Sequence, residues 1–254
     1  MSKYDDWLKV IEHSRKYQTQ ETLESLLNII EEDKKGRNID LVAEALGYFI
    51  SDPEAKRALI TLARHEDYLT RYEALGSLYF FYKRDKDPLI KQLMIEALSD
   101  PNEFVISEAL DSIGLFGWKE LSPTIKPFLN HKDEMVRGSA AVALGELGDK
   151  ESINSIKRAL KQETEDWAKL HYYQALYFLG EDRYFKSMMS MLKSSCHLTR
   201  SSAARKLEEV ANEQNYYQIY FALYTQLKRE RTILVASIIE KIMREIEDEY
   251  LVKT

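Results

Sequence analysis

Cysteine is all but missing from this 254-residue chain: Cys196 stands alone, so no disulfide can form within it, and a lone thiol fits a reducing compartment. Glycine and proline are also sparse, at nine and five residues. That removes the turn punctuation a sandwich or barrel needs and favours long helices. Positive charge is not in excess, and a net charge of -6 disfavours non-specific adhesion to nucleic acid or anionic lipid. No apolar run approaches the length that spans a bilayer. The opening "MSKYDDWLKVIEHSRKY" puts acids ahead of its apolar positions, where a signal peptide carries basic residues. A soluble, cytoplasmic, mostly helical protein is expected, and 44% hydrophobic content suffices for a substantial core.

What the chain does contain is a repeat. The segment "VRGSAAVALGELGD", Val136 to Asp149, sets Ala140, Ala141, Ala143 and Gly145 close together, and related segments precede and follow it: "LVAEALGYFISD", "TRYEALGSLYF", "VISEALDSIGLFG", "AKLHYYQALYFLGED", "TRSSAARKLEEVA" and "TILVASIIEKIM". The equivalent residues Leu46, Leu78, Ile113, Leu144, Leu176, Leu207 and Ile239 recur every 31 to 35 positions. Each unit continues into a second helix, as in "SDPEAKRALITLA", "KDPLIKQLMIEAL", "ELSPTIKPFL", "DKESINSIKRAL" and "EDRYFKSMMSML". In these, apolar residues at three- and four-residue spacing, such as Ile153, Ile156 and Leu160, make one stripe to bury. Asp52-Pro53 and Asp87-Pro88 are helix starts. A single stripe cannot be buried by its own helix pair, so neighbours must stack on one another. The small residues then mark a joint where helices lie close.

Residues Asp133 to Leu160 resemble a HEAT repeat of the short bacterial type related to phycobiliprotein-lyase repeats. The resemblance implies an all-α fold: an α-solenoid (superhelix) of stacked antiparallel helix pairs. The expected organisation is one domain, 1–254, with capping helices in 1–36, repeats in 38–243 and an acidic C-terminal tail in 244–254. It further implies binding of a partner protein by a non-enzymatic scaffold or adaptor. A toxin-neutralising immunity protein is one alternative, which the acidic balance would suit. A bilin-lyase-like chaperone for a chromophore is another, suggested by the repeats alone.

Catalysis finds no footing in the sequence. The HEAT-type deoxyhypusine hydroxylases hold two irons with His-Glu pairs placed just after a valine-arginine step. That place is Gly138-Ser139, Ser107-Glu108 and Tyr72-Glu73 in this chain, and the one His-Glu pair, His65-Glu66, precedes Arg71. His13, His131, His171 and His197 are scattered one to a unit, and a metal needs several converging ligands. Cys196 and His197 are neighbours, but adjacent helical residues do not face each other, so a half-buried structural thiol is expected. No cofactor is expected.

In HEAT families the second helices line the concave face. One column of equivalent positions there reads Lys56, Gln92, Pro123, Asn154, Lys186 and Tyr217; the next reads Leu59, Ile95, Lys126, Lys157, Met189 and Tyr220. Neither is a basic stripe, which argues against nucleic acid as a partner. Arg71, Arg137 and Arg200 share one register, which leaves open whether they are structural or face a ligand. The unusual stretch is "NYYQIYFALYTQL": Tyr216, Ile219 and Leu223 fall on the core stripe, and Tyr217, Tyr220 and Tyr224 beside it. Tyrosine offers broad contact at low entropic cost. The candidate protein-binding residues are therefore Tyr217, Tyr220 and Tyr224, with Lys186 and Lys157 of the same columns.

Overall fold

The computed structural model describes residues 3–33, 36 and 38–251, and among them there are helices and turns but no strand. The fold is an all-α solenoid of stacked antiparallel helix pairs, as the repeat predicts. The chain divides into two compact units, Met1–Phe116 and Gly117–Thr254.

The first unit begins with α1 (Lys3–Lys16) and α2 (Gln20–Glu32), the pair expected to cap the array. It continues through α3 (Ile39–Leu46), α4 (Pro53–Leu62), α5 (Tyr68–Asp85), α6 (Pro88–Ala97) and α7 (Glu103–Phe116). Short polar side chains start these helices. Thr19 forms a reciprocal capping box with Thr22, and Asp52 accepts from the backbone N–H of Glu54 at 2.7 Å and of Ala55 at 3.1 Å. Pro53 and Pro88 sit in the first turn, where a missing N–H costs nothing. The first helix of each repeat packs on the next, α3 on α5 and α5 on α7.

The second unit holds α8 (Ser122–Ile125), α9 (Glu134–Glu146), α10 (Ile153–Gln162), α11 (Asp166–Phe178), α12 (Arg183–Ser190), α13 (His197–Glu209), α14 (Tyr216–Leu227) and α15 (Ile233–Ile246). Here α9, α11, α13 and α15 pack in succession. The helix expected over "ELSPTIKPFL" is broken: only α8 is α-helical, between 3₁₀ turns at Lys119–Leu121 and Lys126–Asn130. Pro127 has no N–H to donate four residues back, and its ring crowds the preceding turn. After α9 and α11 the chain turns at Gly148 (φ +67°) and Gly180 (φ +90°), a backbone that a Cβ disfavours.

All seven recurring residues from Leu46 to Ile239 are 0% exposed, so the sequence register is the register of the core. The alanine joint is a close helix contact: Ala140, Ala141 and Ala143 are fully buried. A Cβ built on Gly145 would lie 2.8 Å from the Ala175 Cα, so α9 meets α11 backbone to backbone there. Gly138 instead makes room for side chains, with Trp167 and His171 of α11 packed over it. Tyr172, which replaces an alanine in that register, is buried with its hydroxyl donating to the Leu129 carbonyl at 3.0 Å. The acidic segment 244–254 does not run free over its described part. Ile246 is buried, Glu247–Leu251 form a π-helical turn, and Tyr250 stacks on Tyr216 at 5.0 Å between ring centres. The residues beyond Leu251 lie outside those described.

Candidate functional site

The recurring arginines are structural. Arg71 Nε and Nη2 donate to Asp100 at 2.7 and 2.8 Å, while Nη1 donates to the carbonyls of His65 and Glu66, both at 2.8 Å. Arg137 repeats the arrangement with Glu163 and the carbonyls of His131 and Lys132, and Arg200 with Glu230 and the carbonyls of Ser194 and Ser195. Each acid in turn accepts from the backbone that begins the next helix, as Glu230 does from the N–H of Arg231 and Thr232. One guanidinium thus ties the loop before its own helix to the loop before the next. The hydrogen bond from Arg200 holds the Glu230 carboxyl far below the usual carboxylate range. His65-Glu66 spends its carbonyls on Arg71, and His65 Nδ1 accepts from the Asp67 N–H, so the pair is part of this loop.

Three of the four lysines in the second-helix columns are also committed. Lys56 pairs with Asp85 and Asp87 at 2.8 Å each, Lys126 with Asp149 at 3.2 Å and Lys157 with Glu181 at 2.8 Å. Of the two candidate lysines, Lys157 is therefore partly screened by its acid. Lys186 is exposed and forms no ion pair with a described residue.

Helix α14 presents its tyrosines unequally. Ile219 and Leu223 are fully buried, and Tyr216 packs against their cluster, as the stripe predicts. Tyr217 is 66% exposed and Tyr224 42% exposed, with the Lys228 ammonium 4.2 Å from the Tyr224 ring centre. Tyr220 differs. Its ring packs against the core cluster and its hydroxyl donates to Glu247. That hydrogen bond to a carboxylate is the main reason its phenol is held above its ordinary pKa.

Phe221, absent from the sequence-derived set, is 63% exposed. It stands four residues after Tyr217 and three before Tyr224, so the outward aromatic stripe is Tyr217, Phe221 and Tyr224. The signal was available, because the register sets Phe221 against Arg158, an exposed cation of another unit. Beside it, between α12 and α14, lies a cavity of about 320 Å³ with Met189, Leu192 and Phe221 among its apolar walls. Lys186, Lys193 and Arg229 stand around it, and none forms an ion pair with a described residue.

The remaining reactive groups do not converge. His171 is buried against Trp167, with Nδ1 2.8 Å from the Trp167 carbonyl, and burial lowers its pKa to about 4. Cys196, expected to be half-buried, is instead exposed at the N-cap of α13; Thr199 hydrogen bonds lower its thiol pKa. Among the described residues no three His, Cys, Asp or Glu side chains are grouped to hold a metal ion. No described helix is long and apolar enough to cross a membrane.

Comparison with known proteins agrees with this architecture. Residues 90–177 match the family described as HEAT repeats. No curated protein matches the chain. Among solved structures, the complex of CpcE and CpcF of phycocyanin lyase from Nostoc sp. PCC7120 superposes with a TM-score of 0.62 at 17% identity, over 87% of this chain and 92% of that one. An archaeal HEAT-like repeats protein from Thermococcus onnurineus NA1 is similar at 17% identity and a TM-score of 0.36, over 89% and 97% of the two chains. With a buried 31- to 35-residue register, an arginine tie between consecutive loops and a HEAT-repeat match over residues 90–177, the chain has the fold of a HEAT-like α-solenoid.

Proposed function

We propose that this protein is a non-enzymatic scaffold that binds a partner protein through the second-helix surface of its second unit. The observation that carries the reading is the groove between α12 and α14: apolar walls at Met189, Leu192 and Phe221 beside the cations Lys186, Lys193 and Arg229, which form no ion pair with a described residue. Tyr217 and Tyr224 extend that surface along α14. Aromatic anchors beside cations match the composition of interface hot spots. A partner segment with an apolar side chain flanked by carboxylates fits this chemistry. Lys157 and Tyr220 flank the surface as supports, through Glu181 and Glu247.

The test is co-purification from native lysate followed by mass spectrometry, comparing the wild type with Tyr217→Ala/Phe221→Ala. A partner retained by the wild type and lost by the double variant supports the reading. A partner held equally by both overturns it. A toxin-neutralising immunity protein is a separate reading, with a basic toxin as partner; the net charge of -6 supports it, while the cationic rim of this groove does not. The bilin-lyase-like alternative draws on the likeness to the CpcE–CpcF complex, which at 17% identity is a likeness of fold. Adding a free bilin and following its absorbance separates the two, since a chaperone shifts the spectrum on binding and a protein-only scaffold does not.

A further inference from the structure

The first unit carries a different groove, built on first helices. A cavity of about 470 Å³ opens over α3 and α5, and Gly47 and Gly76 lie in its walls. A Cβ on Gly47 would stand 2.6 Å from Ser77 Oγ, and one on Gly76 would stand 3.2 Å from Glu108 Oε1. Gly47 thus lets the end of α3 lie close against α5, and Gly76 lets the α7 carboxylate come up against α5. Its apolar lining is unusually bare: Tyr48 is 48% exposed, Ile50 44% and Phe80 53%.

The polar lining is acidic. Glu44 and Glu73 line the groove, Glu108 stands behind Gly76, and Asp40 and Asp111 add their fields. Arg15 neutralises Glu44 at 2.6 Å. Glu73 and Glu108 form no ion pair with a described residue, and Glu108 accepts one long hydrogen bond, 3.4 Å, from Ser112 Oγ. Burial first, then Asp111, raises the Glu108 pKa to about 7, and Glu73 is raised by burial and by Glu44. The repeat fold does not require these acids. The positions of Glu73 and Glu108 hold Ser139, His171 and Ser202 in the second unit, and those of Glu44 and Asp111 hold Val142, Gln174 and Arg205.

We propose that this groove docks a basic amphipathic helix of a partner protein. Its apolar face seats on Tyr48, Ile50 and Phe80, and its lysine or arginine side chains meet Glu73, with Glu108 adding its field from behind Gly76. A groove over two neighbouring helices accepts the ridge of a third. Carboxylates that form no ion pair with a described residue, beside exposed apolar surface, complement a segment that is both cationic and apolar, which neither a polycation nor a neutral peptide satisfies. This surface is independent of the one on α14.

The test uses the full chain and a fluorescent 18-residue peptide with leucines on one helical face and lysines on the other. A scrambled peptide of the same composition is the control, and the readout is fluorescence anisotropy. The amphipathic peptide should bind about ten-fold more tightly than the scrambled one. Phe80→Ala and Glu73→Gln should each weaken it by about ten-fold with unchanged thermal melts, while Tyr217→Ala leaves it untouched. Equal affinity for the two peptides would overturn the proposal, because it would mean charge attraction alone. So would full affinity in Phe80→Ala, an exposed position whose loss does not threaten the fold, or a loss of binding confined to Tyr217→Ala.

Discussion

Arg200 and Glu230 meet as a parallel pair, Nε to Oε2 and Nη2 to Oε1, both at 2.7 Å, with the glutamate side chain only 1% exposed. The pair does more than neutralise charge, because both residues also hydrogen-bond loop backbone. Arg200→Ala would leave a buried carboxylate unpaired and should lower stability by about 3 kcal/mol. Arg200→Lys should recover less than half of that loss, since an ammonium cannot bridge a carboxylate and two carbonyls at once. Urea midpoints check both. A wild-type midpoint for Arg200→Ala would mean that the pair carries no stability.

Gly145→Ala separates helix propensity from packing. Alanine should favour the helix by about 1 kcal/mol. The added methyl, however, meets the Ala175 backbone at 2.8 Å, and backbone cannot swing aside. Overpacking at about 1–3 kcal/mol should win, so the variant melts below the wild type. A higher melting temperature would show that α9 and α11 can spread without loss.

Alanine substitutions along α14 should divide by depth. Ile219→Ala should lose about 2–5 kcal/mol as a core truncation. Tyr217→Ala and Tyr224→Ala should stay within about 0.5 kcal/mol of wild type. Tyr220→Ala should fall between them, since it loses one charge-assisted hydrogen bond and part of a packed ring. Thermal melts order the four variants, and a large loss at Tyr217 would contradict its exposure.

The Glu108 carboxyl gives stability a pH dependence of unusual sign for an acid. Its folded pKa, about 7, lies above its ordinary 4.5, so the folded state holds the proton more tightly. Its contribution is complete below pH 4.5 and is lost as pH rises through 7. Glu108→Gln should match the wild type near pH 4.5 and exceed it by about 3 kcal/mol at pH 8. Denaturation at the two pH values checks this, and an equal gap at both would refute it.

His171 acts in the opposite direction. Burial lowers its pKa from 6.5 to about 4, with Lys206 adding to the shift and the Trp167 carbonyl opposing it. Its contribution is complete above pH 6.5 and is lost as pH falls through 4. His171→Gln should flatten the stability curve between those values. A curve as steep as the wild type's would assign the slope to other groups.

The sequence by itself determined the repeat, its helix pairs and its core. Apolar spacing, proline and aspartate starts and a recurring leucine are short-range signals, and each acts within one helix or between adjacent turns. The helix expected over "ELSPTIKPFL" is broken instead by Pro127, which the apolar pattern alone does not weigh. What only the tertiary structure decided is which flanking side chains remain free. The partners of Arg71, Arg137 and Arg200 come 29, 26 and 30 residues later. Tyr220 turns to Glu247 and Lys157 to Glu181, which leaves Phe221 outward in a place that local pattern assigns to a cation. Glu108 lies half-buried against α5 because the facing residue there is Gly76. A position beside the core stripe is covered or bare according to the neighbouring helix, and spacing within one helix carries no record of that neighbour.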